Sequence, residues 1–285
     1  MVAPKVPVKR ESDFYYVYSK DTMAIPETRR AMRSESNQAT WNMSSSTYNL
    51  EEHALHDYVS DRERDNADGP INVDVDTTEI TTQKLLLRRE KDLASVVQDV
   101  ANWGTSVDAS ATATLAWTSN TTTTNPITLI DSLSSVILLN SGTNPNRLIL
   151  TDPQFKAAKE HVSIVDRIKY TSADSVTPAM LAKLFNVDQV LLATGVEHTP
   201  KEGVDTNTMA FIWTDAAFLY YVPASPSLKQ ASALYTIWKD AYTEPFKVER
   251  WREAKRSSDA IQVSAMFQHK PVATSCAALI VNIVA

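Results

Sequence analysis

The chain has 285 residues, 43% of them hydrophobic and 22% charged, the composition of an ordinary globular protein with a sizeable core. Its formal net charge of -6 argues against a tight, salt-dependent grip on nucleic acid by the surface as a whole. The single cysteine excludes a disulfide within the chain, and the five scattered glycines leave no phosphate-cradling loop.

The N-terminal part of the chain predicts an arm and an extended loop. Residues 1–24 are expected to form an irregular arm, with one docked strand in the aromatic cluster at 14–18. Residues 25–49 lack glycine and are rich in Ser, Thr and Asn, which disfavour helix interiors and suit an exposed ribbon. Polar segments of this length are usually disordered or packed on a neighbouring molecule. Three large side chains favour the second alternative: Trp41, Met43 and Tyr48.

Two helical patterns follow. Residues 50–66 have apolar side chains near helical spacing and predict an amphipathic helix. A longer helix is predicted over 76–103, with Asp76 and Glu79 as a capping-box-like start and Gly104 as its stop. At a rise of about 1.5 Å per residue, this helix would be a rod of about 42 Å.

The middle of the chain predicts alternating helices and strands. Three helix starts place a capping side chain before a proline at the first helical position, namely Asn125-Pro126, Asp152-Pro153 and Thr177-Pro178. Strand-like runs lie between and after them, at 147–151, 189–194 and 209–222. From residue 246 onward the pattern turns to strands, so the chain as a whole predicts an α+β fold.

Little in the sequence suggests reaction chemistry. His53 and His56 would share a helical face and could bind a metal, but a solvated charged face is the better interpretation. The nucleophile sequence G-x-S-x-G does not occur, and Cys276 lies in an apolar run that does not favour a reactive thiol. A catalytic triad is left unsupported, and no catalytic residue, metal or cofactor is predicted. The apolar run at 271–285 is too short to span a bilayer, and no signal peptide is seen.

Five segments, in this order along the chain, carry a resemblance to a known family. They are NLEEHALHDYVSDRERDNA (49–67), NPNRLILTDPQFK (144–156), HVSIVDRIKY (161–170), VTPAMLAKLFNV (176–187) and IWTDAAFLYYVP (212–223). The ordered set is similar to tailed-bacteriophage major capsid proteins of the Hong Kong 97 phage fold. The resemblance covers nearly the whole chain, and no single segment is diagnostic.

The resemblance implies a non-enzymatic subunit that self-assembles, as hexamers and pentamers, into the icosahedral head of a tailed double-stranded DNA phage. It implies assembly in the host cytoplasm and a final location in the virion. The implied partners are a separate scaffolding protein, a portal, a decoration or cement protein and packaged DNA held by weak, non-specific contacts. The implied parts are an N-terminal arm (1–24), an extended loop (25–49), a peripheral domain (50–125, with a spine helix at 76–103, and 246–285) and an axial α/β domain (126–245).

Two sets of site residues are predicted. Contacts between subunits are expected from Arg29, Arg30, Arg33, Trp41, Met43 and Tyr48. Charges that could face DNA or a neighbouring subunit are Arg88, Arg89 and Lys91 on the long helix.

Some members of the resembled family join the extended loop to a neighbour through a lysine–asparagine bond. No lysine occurs between Lys20 and Lys84 in this chain, so a non-covalent shell is predicted. Three alternatives stay open: an encapsulin-like shell that encloses proteins, a soluble α/β enzyme with a disordered N-terminal third, and a tail or decoration protein.

Overall fold

The computed structural model describes residues 2–18, 24–38, 43–111, 116–117, 124–169, 176–199, 208–228, 230–240 and 246–284. The strands are β1 (Lys5–Val8), β2 (Ser12–Tyr18), β3 (Met43–Asn49), β4 (Glu51–Ser60), β5 (Ser106–Asp108), β6 (Arg147–Thr151), β7 (Gln189–Ala193), β8 (Val196–His198), β9 (Met209–Phe211), β10 (Ala216–Tyr220), β11 (Leu234–Lys239), β12 (Lys247–Glu253), β13 (Ser258–Pro271) and β14 (Ala277–Val281). The helices are α1 (Asp61–Asp65), α2 (Val73–Gln98), α3 (Pro126–Ser141), α4 (Asp152–Glu160), α5 (Val162–Ile168) and α6 (Pro178–Leu184).

The first sheet is built around β13. Its order is β1-β11-β13-β12, and β4 pairs with the other edge of β13. Helix α2 packs on one face, where Leu85 meets Val263, Ala265 and Phe267 of β13 in a small core. The sheet is therefore a layer covered by one long helix.

The second sheet has the order β5-β14-β10-β6-β7 and is buried on both faces. Leu148 and Leu150 of β6 point into a core shared with α3 to α6, while Ile149 between them points into the core beneath α2. A strand covered on both faces reads as a continuous apolar run instead of an alternating one. The structure confirms the strand predicted at 147–151, and the burial of both of its faces explains why its sequence is continuously apolar.

Capping chemistry sets the helix starts in this region as expected. Asn125 accepts a hydrogen bond from the Ile127 backbone N–H at 3.0 Å and caps α3, which ends at Gly142 with a left-handed φ of 69°. Thr177 caps α6 in the same way. Helix α4 begins one residue earlier than expected, because Thr151 is the cap and Asp152 is already helical.

The long helix lies a few residues toward the N-terminus of its predicted position. It runs over Val73–Gln98, and its cap is Asn72, whose side chain accepts from the Val75 N–H. The helix ends because Asp99 is extended and instead caps a short 3₁₀ turn. With 26 residues it is a rod of about 39 Å.

The helix predicted at 50–66 is wrong for most of its length. Glu51–Ser60 is a strand, and each of its ten residues is paired with a residue of β13 between Ser258 and Phe267. Only the end of the segment is helical, in α1, which Ser60 and Glu63 start with a capping box. Long-range strand pairing has overridden a local helical pattern here.

The N-terminal residues are also more ordered than an irregular arm. Strand β1 pairs in parallel with β11, and Val6 and Val8 are buried. The domain boundaries remain a prediction, but each of the two large sheets contains a strand from the other predicted domain. Strand β11, expected in the axial domain, lies in the first sheet, and β14, expected in the peripheral domain, lies in the second.

Candidate assembly surfaces

The segment 24–38 is an exposed, irregular stretch of apolar and cationic side chains. Ile25 is 96% exposed and Met32 is 94% exposed, and Arg29, Arg30 and Arg33 are exposed beside them. Apolar side chains left in water favour contact with another surface. This stretch is a candidate surface for contact between copies of the chain.

Strands β2 and β3 form a two-stranded ribbon with one docked face and one free face. Tyr15 and Tyr48 are buried against Val6 and Val8 of the first sheet. On the other face Phe14 is 58% exposed and Tyr16 is 40% exposed. These two aromatics were missed as contact residues, although alternation along a strand predicts opposite faces for neighbours in sequence.

The predicted subunit contacts fall into three groups. Met43 is 43% exposed, like the arginines of segment 24–38, and its role stays a prediction. Trp41 lies outside the described residues. The prediction that Tyr48 contacts a neighbouring subunit has to be corrected. Its side chain is only 3% exposed and belongs to the core of its own chain, because the ribbon folds back onto the first sheet. Burial also raises the pKa of the Tyr48 phenol.

The predicted DNA-facing charges on α2 do not form a free cationic row. Arg88 pairs with Asp92 at 3.0 Å, and Lys91 pairs with Glu197 of β8 at 2.6 Å. Arg89 is half-buried, and desolvation lowers the pKa of its guanidinium. Contacts of these residues with DNA stay a prediction, but two of the three charges are already balanced within the chain.

An ion network, which sequence reasoning missed, lies where α1 and α2 meet the first sheet. Its members alternate in sign and come from four elements: Asp61, Arg64, Asp74, Arg250, Arg252 and Asp259. Asp259 accepts from Arg64 and Arg250 at 2.8 Å each. Hydrogen bonds from the arginines, Arg250 first, lower the pKa of Asp259 to about 2. The network ties the start of α2 to β12 and β13.

The two histidines considered as a metal site, His53 and His56, do not share a face as the predicted helix would have required. His53 and His56 are an odd number of residues apart on β4, so their side chains lie on opposite faces. The His53 ring stacks on Phe267 at 4.7 Å, and the His56 ring meets Tyr58 edge-on at 5.1 Å. Among the described residues, no group of three metal-ligating side chains is found.

Two further properties bear on what the surfaces can do. Cys276 is buried, and burial raises the pKa of its thiol, which disfavours a reactive thiolate. In the part of the chain that the structure describes, none of the helices is long and apolar enough to span a membrane.

Comparison with known proteins identifies relatives of the chain. No family model matches it. It is 24% identical over 221 residues to the major capsid protein of Burkholderia phage BcepMu, covering 77% of this chain and 69% of that protein. It is 26% identical over 223 residues to the major capsid protein of Pseudomonas phage JBD67, covering 77% and 70%.

Solved structures of phage and shell proteins share the fold. A phage-related protein from Bordetella bronchiseptica RB50 matches with a TM-score of 0.76 and 22% identity, over 99% of this chain and 90% of that one. The capsid of cyanophage P-SCSP1u matches at 0.63 with 10% identity, over 99% and 87%. The SrpI encapsulin of Synechococcus elongatus PCC 7942 matches at 0.59 with 13% identity, over 99% and 86%. The chain therefore has the Hong Kong 97 phage capsid fold and is a relative of phage major capsid proteins.

Proposed function

We propose that this chain is the major capsid subunit of a tailed double-stranded DNA phage, and that copies of it form the icosahedral head. The observation that carries the proposal is the agreement of sequence and fold: relatives named major capsid protein span 77% of the chain, and phage capsid structures match nearly all of it. The subunit acts by packing against copies of itself, not by catalysis.

The proposed arrangement follows the layout of the fold. The α/β region predicted at 126–245, apart from β11, which belongs to the first sheet, lies around the axes of hexameric and pentameric rings. The long helix and the first sheet, with β1 as its edge strand, lie between rings. Within the arm and loop predicted at 1–24 and 25–49, the parts that reach a neighbouring subunit are the exposed segment 24–38 and the free face of the β2–β3 ribbon. The exposed Ile25 and Met32 support this arrangement, because a neighbour would remove both side chains from water.

The shell is proposed to be non-covalent at the extended loop. The stretch between Lys20 and Lys84 contains no lysine, so it offers no amine for a lysine–asparagine bond. Mature particles boiled in detergent should run as a single band at the mass of one chain. A ladder of multiples, with a lysine–asparagine linkage mapped to residues 25–49, would overturn this part of the proposal.

Scaffolding is proposed to come from a separate protein, and the portal and any cement protein are further partners. Packaged DNA is proposed to meet the shell through weak, non-specific contacts, which the acidic net charge of -6 supports. Co-expression tests the scaffold: the chain alone should give few or irregular shells, and shells of uniform size from the chain alone would contradict it.

The experiment that tests the main proposal is electron microscopy of the purified protein, expressed alone and with its genomic neighbours. Closed polyhedral particles, or rings of five and six, are expected. A small, monodisperse species under all conditions would overturn the proposal.

An encapsulin-like shell is the second candidate, and the match to the SrpI encapsulin favours keeping it. The contents of particles from the native source separate the two functions. Nuclease-resistant, genome-length DNA supports the phage head. Particles that hold one abundant protein and no such DNA support the compartment.

A further inference from the structure

An apolar patch lies on the outer surface of α3, toward the C-terminal end of the helix. Leu139 is 86% exposed, and Val136 and Leu138 beside it are exposed as well. The inner side of the same helix is buried, with Ile130 and Ile137 in the core that α3 shares with the second sheet. The last turns of α3 are therefore apolar on the outside too, where a surface helix normally carries polar residues. A contiguous exposed patch of this kind indicates contact with another molecule.

A second apolar patch lies on the ribbon that β8 and β9 form. Val196 is paired with Phe211, and Met209 lies two positions from Phe211 on the same strand. These three side chains therefore share one face of the ribbon, and all three are exposed. Glu197 lies on the other face, where its carboxylate pairs with Lys91 of α2 at 2.6 Å. The ribbon is thus held against α2 by one face and presents its apolar face to solvent.

The two patches lie on opposite faces of the second sheet. Helix α3 packs beside β10 and β14, on the face that carries Leu148 and Leu150. The ribbon follows β7, the edge strand at the far side of the sheet, and lies against α2, on the face that carries Ile149. A head-to-tail contact brings two different surfaces of identical subunits together, whereas a two-fold contact brings one surface against itself. Two unlike patches on opposite faces match the head-to-tail kind.

The composition of both patches suits burial in an interface. Interface cores are enriched in aromatic residues and Met and are depleted of charged residues. The ribbon supplies Phe211 and Met209, and residues 132–141 of α3 contain no charged residue. The hydroxyls of Ser132 and Ser135 already donate to backbone carbonyls of the helix itself, at 2.7 and 3.0 Å. Their burial would leave no hydrogen bond unmade, so the outer side of α3 can lose its water at little cost.

We propose that the occupant of each patch is the other patch of a second copy, so that the end of α3 in one subunit docks on the β8–β9 ribbon of the next subunit around a ring. Each copy offers one patch of each kind, so the contact repeats from subunit to subunit and closes when the rotation closes. This inference rests on the proposed ring arrangement and adds the side chains that make the contact, with Leu139 and Phe211 at its centre.

Cross-linking within particles tests the contact. Particles whose subunits carry both Leu139→Cys and Phe211→Cys, treated with a short bifunctional thiol reagent, should give linked chains of three or more copies on a denaturing gel. Either substitution alone should stay at the mass of one chain, because each contact then holds only one accessible thiol. Cys276 is buried and is present in every variant. The matched control joins Leu139→Cys to Ile80→Cys, since Ile80 is 52% exposed but lies on α2 outside both patches. It should give no chain of three or more copies.

Serine substitutions give an independent measurement. Leu139→Ser and Phe211→Ser should each lower the yield of closed particles roughly tenfold and leave the melting temperature of the isolated subunit unchanged, since both side chains are exposed there. The double variant should lose little more than either single variant, because both changes remove the same contact. Val136→Cys with Met209→Cys replaces the first cysteine pair if that pair prevents assembly.

Three outcomes would overturn the proposal. Particles of the double-cysteine variant could stay unlinked, either single-cysteine variant could give dimers, or both serine variants could give particles in normal yield. Dimers from one substitution would show a patch that meets itself across a two-fold axis. Particles that form but stay unlinked count against this contact alone, whereas an unchanged protein that forms no particles counts against the proposed function and, with it, the ring contact.

Discussion

The indole N–H of Trp213 donates to the Glu90 carboxylate at 3.1 Å and joins the second sheet to the long helix across 123 positions of sequence. Gly195, two residues after β7, leaves the space that this carboxylate occupies, because a Cβ there would overlap one oxygen and the carboxyl carbon of Glu90. Glu90, Gly195 and Trp213, which are far apart in sequence, thus form one contact between the helix and the sheet.

Substitution of Gly195 should therefore act through Glu90. We expect Gly195→Ala to displace the flexible carboxylate and lose the Trp213 bond, lowering the free energy of unfolding by about 1 to 2 kcal/mol. Chemical denaturation measures the change. Gly69→Ala is the control, since a Cβ at that position has no atom within 4 Å beyond its own residue and its two neighbours in sequence. In a Trp213→Phe background the hydrogen bond to Glu90 is already absent, so Gly195→Ala should lower the free energy of unfolding by less. An equal loss of stability in both backgrounds would contradict an effect through this hydrogen bond.

The ion network should make the fold sensitive to strong acid. The folded pKa of Asp259 is about 2, below its usual value of 3.8, so its contribution is complete above about pH 4 and is lost as the pH falls toward 2. Asp259→Asn should be less stable near neutral pH, and its stability should change less over that acid window. Tryptophan fluorescence during acid titration measures this. Asp131→Asn, an exposed aspartate outside the network, should keep the original profile.

A second pH dependence should appear at milder acidity. Burial lowers the pKa of His269 to about 4, although the hydrogen bond to the Arg89 carbonyl opposes this shift. The imidazole lies between Thr236 and that carbonyl and contacts both. The unfolded chain binds the proton more readily, so stability is complete above about pH 6.5 and declines toward pH 4.

His269→Gln should remove most of this second dependence. The unchanged protein should lose about 2 to 3 kcal/mol of unfolding free energy between about pH 7 and pH 4.5, and the variant should lose less. Denaturant titrations at the two pH values measure the difference. His56→Gln, at an exposed position on β4, should behave like the unchanged protein. An equal loss in the His269 variant would show that another group is responsible.

The two faces of the β2–β3 ribbon should separate assembly from folding. Phe14 is exposed and Tyr15, its neighbour, is buried, so the pair is a matched comparison. Phe14→Ala should reduce particle yield without changing monomer stability, and Trp41→Ala is expected to act likewise. Tyr15→Ala should cost about 3 kcal/mol or more of unfolding free energy. Particle counts by microscopy and monomer melting measure the two effects. Equal losses of stability in the Phe14 and Tyr15 variants would contradict an assembly role for Phe14.

Local chemistry predicted much of the second sheet and its helices. A proline after a capping residue fixes a helix start within one residue, as at Asn125 and Thr177. The apolar run at 147–151 is a strand because both of its faces are covered. These signals depend on neighbours in sequence, so one chain is enough to see them.

Long-range pairing accounts for what the sequence did not predict. The helical spacing at 50–66 gave no sign that β4 would pair along β13, about 200 positions later. The burial of Tyr48 depends on β1 and on the fold of the ribbon, and the ion network depends on Arg250, Arg252 and Asp259 meeting α1 and α2. No local pattern in the sequence predicts such long-range contacts.

The placement of β13 and β14 has a consequence for synthesis in the cell. Each lies inside its sheet, and both are translated after the strands that they join. A ribosome-bound chain lacking residues beyond 257 has neither sheet complete, so β4 and β12 have no common partner and β5 and β10 stay apart. Contacts of such high sequence separation form late and slowly. We therefore expect a chain that ends at residue 257 not to complete either sheet, even though β6, β7 and β10 can already pair with one another.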